Sequence, residues 1–86
     1  MNKNVMVLGT GAQGSTIAMR LDVEPNVARI ICADYNLEAA QRLEQKLTKA
    51  TAVKVEVFGQ KTRDYYFREA AKLGITVDEI QKTELV

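Results

Sequence analysis

The stretch Val5-Met6-Val7-Leu8-Gly9-Thr10-Gly11-Ala12-Gln13-Gly14-Ser15 places three glycines within six residues, directly behind an apolar run near the start of the chain. Val5 to Leu8 form a short continuous apolar segment bounded by turn residues, the pattern of a strand buried on both faces of a parallel sheet. Behind the glycines, Ile17, Ala18 and Leu21 recur at helical spacing until Pro25 and Asn26 end the segment. This predicts a helix from about Ala12 to Leu21. The start of the chain thus reads as strand, glycine turn and helix.

The same alternation of elements continues outward. Ala28 to Ala33 is a second β-prone run, closed by Asp34-Tyr35-Asn36. Asn36 is a good N-cap and Glu38 suits the positive end of a helix, whose apolar stripe runs through Leu37, Ala40, Leu43 and Leu47. Lys46 and Lys49 complement its negative end. Ala52 to Val57 alternates valines with Lys54 and Glu56, which predicts a third strand exposed on one face. Crossovers between parallel strands are overwhelmingly right-handed, so this βαβαβ unit should be parallel, ordered 3-2-1, with both helices on one face. That is an α/β, partial Rossmann-like arrangement.

Past Gly59 the texture becomes helical. Lys61 to Leu73 carries Tyr66, Ala70 and Leu73 on one face, Gly74 suits the left-handed position after a helix, and Ile75 suits the accompanying hydrophobic contact. Thr76-Val77-Asp78-Glu79 fits a capping box, which predicts a last short helix over 77–84. The expected whole is one domain over 1–86, with a nucleotide-binding half over 1–58 and a helical C-terminal extension, a helical hairpin, over 59–86. A three-strand sheet leaves an edge of the first strand open. The expectation is therefore a homodimer or completion by another chain.

Composition limits the chemistry. The 86 residues are 47% hydrophobic and 27% charged, which suits one small globular domain. The formal net charge is +1 with charges interspersed, so no basic patch points to nucleic acid and no apolar run is long enough for a membrane span. With no histidine and one cysteine, neither a Ser-His-Asp or Cys-His catalytic set nor a zinc cluster can be assembled within these residues. Cys32 lies in an apolar strand and reads as an inert small hydrophobe, in keeping with a reducing cytoplasm. Tyr65-Tyr66-Phe67, without a basic groove, reads as packing or interface.

The glycines gain weight from their context: a strand before them, a helix after them, and Asp34 twenty residues beyond Gly14 at the end of the second strand. Gly9 permits the sharp turn, Gly11 admits a pyrophosphate close to the backbone, and Gly14 allows tight helix packing. The amides near Ala12 and Gln13 lie at a helix N-terminus, which favours an anion. Asp34 is suited to accept from ribose hydroxyls and to repel a 2′-phosphate, favouring NAD over NADP; its plainer role is to cap the second helix together with Asn36. Phe58, past the third strand, is placed to line an adenine pocket or to pack beneath the terminal helices.

The stretches "VMVLGTGAQGSTIAMRL", "RIICADYNLEAAQRL" and "AVKVEV" resemble the N-terminal cofactor domain of the saccharopine dehydrogenase family, over roughly residues 3 to 57. Gln13-Gly14-Ser15 and Cys32 to Asn36 carry most of the resemblance. It implies an NAD(P)-dependent oxidoreductase that passes hydride between nicotinamide and a carbon bonded to an amino-acid nitrogen. It further implies that Gly9, Gly11, Ala12, Gln13 and Gly14 meet the pyrophosphate, while Asp34, Tyr35 and Asn36 lie near the adenosine ribose. After Val57 the chain departs from the family pattern, and turnover by these residues alone is not expected. The alternative is a stand-alone module that binds NAD or an adenine nucleotide, as a sensor, without turning it over.

Overall fold

The computed structural model describes residues 2–55 and 63–82. Its elements are β1 (Lys3–Leu8), α1 (Ala12–Asp22), β2 (Val27–Asp34), α2 (Leu37–Lys46), β3 (Ala50–Lys54), α3 (Arg63–Ala71) and β4 (Glu79–Lys82). The four strands form one sheet in the order β3-β2-β1-β4, and every pairing is parallel.

The apolar runs are continuous because the sheet is covered on both sides. On β1, Val5 and Val7 point to one face and Met6 and Leu8 to the other; on β2, Ile30 and Cys32 alternate with Ile31 and Ala33. All eight are buried. Val5, Val7, Ile30 and Cys32 pack with Ala18 of α1 and Ala40 and Leu43 of α2, so these two helices share a face, as the crossover rule predicts. Met6, Leu8, Ile31 and Ala33 pack with Val55, with Tyr66 and Ala70 of α3, and with Ile75 and Val77. The chain has changed faces between β3 and β4.

Polar contacts fix the ends of the elements. Asn36 caps α2 by accepting from the amides of Glu38 and Ala39 at 3.0 and 3.4 Å. Asp22, at the end of α1, accepts from the amides of Thr48 and Lys49, tying α1 to the entry of β3. The third strand accordingly starts at Ala50, two residues earlier than its alternation suggests. Gly74 has φ +73°, its amide donates to Ala71, and the Ile75 amide reaches back to Ala70, which is the predicted helix-ending arrangement. Ile75 is buried beside Tyr66 and Ala70.

The expected helical hairpin is not formed. Thr76 to Asp78 is irregular, and Glu79–Lys82 runs as β4 beside β1, with Val5 opposite Glu79 and Leu8 opposite Lys82. The sheet therefore has four strands and not three. The local capping signal loses to the backbone groups along β1, which need partners once that strand is buried. The Asp78 side chain accepts from the Asn4 amide at 2.8 Å and its own amide donates to the Asn4 carbonyl, while Glu79 pairs with Lys3 at 2.7 Å. The β1 edge that motivated a dimer is thus filled, and among the described residues the outer edges belong to β3 and β4. Among the same residues, no helix is long and apolar enough to cross a membrane.

Candidate functional site

At the carboxyl ends of β1 and β2 two short turns lie side by side, one leading to α1 and the other to α2. Gly9 leaves β1 with φ 95°, a conformation L side chains avoid, and its amide still donates to the Ala33 carbonyl at 2.7 Å. The chain is thereby turned sharply while the sheet's hydrogen bonding is kept. Gly14 is buried in the first turn of α1, on the side that approaches the sheet.

Gly11 differs from both. It is the N-cap of α1 with φ −70° and ψ −163°, a backbone open to any residue, and a Cβ built on it would meet nothing within 4 Å among the described residues. No side chain caps this helix and no acidic residue lies in its first turn. The amides of Ala12, Gln13 and Gly14 therefore stand at the positive end of α1 beside open space. α2, in the same protein, has the usual solution in Asn36.

The two turns are joined through Thr10 and Asp34. The amide and hydroxyl of Thr10 both donate to Oδ2 of Asp34, at 2.8 and 2.6 Å. Oδ1 of Asp34 accepts from the Asn36 amide at 3.0 Å. Ser15, one turn into α1, donates from its hydroxyl to the Thr10 carbonyl at 3.0 Å. Partial burial pushes the Asp34 carboxyl upward, but the Thr10 hydroxyl and the amides of Asn36, Thr10 and Tyr35 outweigh it and hold the group below its ordinary range. A carboxylate is thus kept charged beside an uncapped helix N-terminus.

The structure brings together Gly9, Gly11, Ala12, Gln13 and Gly14 on one turn, and Asp34, Tyr35 and Asn36 on its neighbour. Tyr35 is half exposed, whereas Asn36 spends its side chain on α2. Phe58 lies outside the described residues. Thr10 and Ser15 are the additions; a hydroxyl residue between two glycines was the available signal, but its partner, Asp34, is 24 residues away. A cleft between α1 and α2 opens at Thr10 and Ser15 and is lined further out by Arg42 and Lys46. Cys32, buried beneath the same helices, has its thiol pushed up to about 12, by burial first and by the charges of Glu44 and Asp22 after it.

No protein-family model, no curated protein and no solved structure matches the chain.

Proposed function

We propose that this chain binds the adenosine-diphosphate half of NAD at the carboxyl ends of β1 and β2, in a Rossmann-like fold, as the cofactor-binding portion of a saccharopine dehydrogenase-like oxidoreductase. The observation that carries the reading is Gly11. Neither its backbone angles nor its neighbours among the described residues require glycine, and serine or asparagine would make a better cap. A residue that leaves helix amides uncovered in open space serves something that must approach them, and a pyrophosphate fits that description.

Two further features support it. The strand order 3-2-1-4, with α3 on the opposite face from α1 and α2, makes β1 and β4 the point where the chain reverses direction across the sheet. In open parallel sheets ligands bind at the carboxyl side of such a switch. Asp34, charged and only partly buried, stands where the ribose would follow the phosphates. Its charge favours NAD, while Arg42 and Lys46 bring positive charge into the adjoining cleft, so NADP is the comparison ligand.

The test is thermal unfolding with ligand. NAD or ADP-ribose at about a hundred times its Kd should add about 2.7 kcal/mol to stability. An unchanged melting temperature at millimolar NAD, ADP-ribose and NADP would overturn the proposal. Steady NADH-dependent turnover of an amino-acid imine by this chain would overturn the expectation that the cofactor-binding portion is not catalytic alone.

A further inference from the structure

The contact between Thr10 and Asp34 does more than join two turns. Thr10 is, among the described residues, the buried polar side chain of the structure, and both of its donors are directed at one carboxylate oxygen. An oxygen of an ionised carboxylate accepts about two hydrogen bonds, so Oδ2 is filled from within the protein. Oδ1 takes the Asn36 amide. With the Tyr35 amide as a further donor the carboxylate is held by four groups, two of them on Oδ2, so an incoming hydroxyl approaches from the Oδ1 side.

We propose that Thr10 is a positioning residue that presents Oδ1 of Asp34 to a ribose 2′-hydroxyl, so that the site distinguishes ribonucleotides from 2′-deoxyribonucleotides. The inference rests on the nucleotide reading above and adds to it a residue and a selectivity. The geometry behind it is a chain of contacts running from Ser15 in α1, through the Thr10 carbonyl, to Asp34 and on to Asn36 at the start of α2. The phosphate-facing turn thereby sets the angle of the ribose-facing carboxylate. An acceptor already fixed in place loses little freedom when the ligand arrives, and this preorganisation strengthens the contact. Without the Thr10 hydroxyl the carboxylate can turn to fill Oδ2 from solvent. The 2′-hydroxyl then meets an acceptor that is no longer fixed.

The experiment compares ADP with 2′-deoxy-ADP by titration calorimetry on the wild type, Thr10→Val and Thr10→Ser. A hydrogen bond to a charged group predicts that the wild type binds ADP about tenfold more tightly than 2′-deoxy-ADP. Thr10→Val should bring ADP down to the level of the deoxy ligand and leave the deoxy ligand unchanged. Thr10→Ser, which keeps the hydroxyl, should keep the gap. Thr10→Ala is measured in parallel, since it removes the hydroxyl without a second methyl to accommodate. Equal weakening of both ligands by Val and Ala would show a merely structural Thr10 and overturn the proposal, as would a gap that survives in both. A wild type that binds both nucleotides equally overturns this inference and leaves nucleotide binding standing. A wild type that binds neither removes both together.

Discussion

At the scale of single residues, Asp34 carries a stability that depends on pH. Its pKa is lower in the folded chain than unfolded. Its contribution is therefore complete above the unfolded value of about 4 and is lost as pH falls through the folded pKa. Asp34→Asn should flatten the acid limb of a stability profile in that range, which urea melts at stepped pH will show. At neutral pH, Asp34→Ala should cost about 1–3 kcal/mol, because the Thr10 and Asn36 donors lose their acceptor. Cys32 should behave oppositely to a reactive thiol: with its pKa near 12 and its side chain buried, a thiol reagent at pH 8 should label it only after unfolding. Rapid labelling of the native protein would contradict this placement. The glycines were readable as a motif in the sequence, but their separate duties were not all visible. Only backbone angles tell Gly9, where φ is 95°, from Gly11, which nothing among the described residues requires to be glycine.

At the scale of elements, β1, α1, β2 and α2 were legible because local and long-range demands agree. The apolar runs suit a doubly covered sheet, and Asn36 marks the start of α2 on the chain itself. The end of α3 was legible for the same reason, since Gly74 and Ile75 act within one turn. Gly74→Ala forces a side chain into the left-handed region and should cost about 1–2 kcal/mol, measurable by chemical denaturation. β4 was not legible. Thr76 to Glu79 offers a good helix start, and its competitor is the unpaired side of β1, more than seventy residues away in sequence. Tertiary pairing overrides such a local signal. The alternation of buried Ile75 and Val77 with exposed Thr76 and Asp78 was the trace of an extended segment. Two substitutions distinguish the outcomes. In a capping box Thr76→Ala would cost about 1 kcal/mol. In the strand arrangement it should stay within about 0.5 kcal/mol, whereas Asp78→Ala, which strips the Asn4 amide of its acceptor, should cost about 1 kcal/mol or more.

At the scale of the whole molecule, the arrangement of layers gives the site its place. Two helices on one face and a third on the other put the turn after β1 at the reversal between β1 and β4, and the turn after β2 beside it. This follows from right-handed crossovers together with the formation of β4, so the part of the fold that the local pattern obscured is also the part that creates the switch point. The small chain buries its core against both faces of a short sheet. A ligand that bridges the starts of α1 and α2 would add stability to elements otherwise joined there through Thr10, Asp34 and Asn36. The central claim is that Gly11 is glycine for a ligand and not for the fold, and Gly11→Ser separates the two. Its backbone already has the angles of a capped helix start, so serine should cap α1 and leave stability unchanged or raised by a few tenths of a kcal/mol. The same hydroxyl would occupy the space and the amides that a pyrophosphate needs. The decisive measurement is a pair of melting curves, wild type and Gly11→Ser, each with and without saturating ADP-ribose. A pyrophosphate seated at Gly11 predicts a ligand-induced rise in the wild type and none in a variant that is at least as stable; an equal rise in both, or none in the wild type, would contradict it.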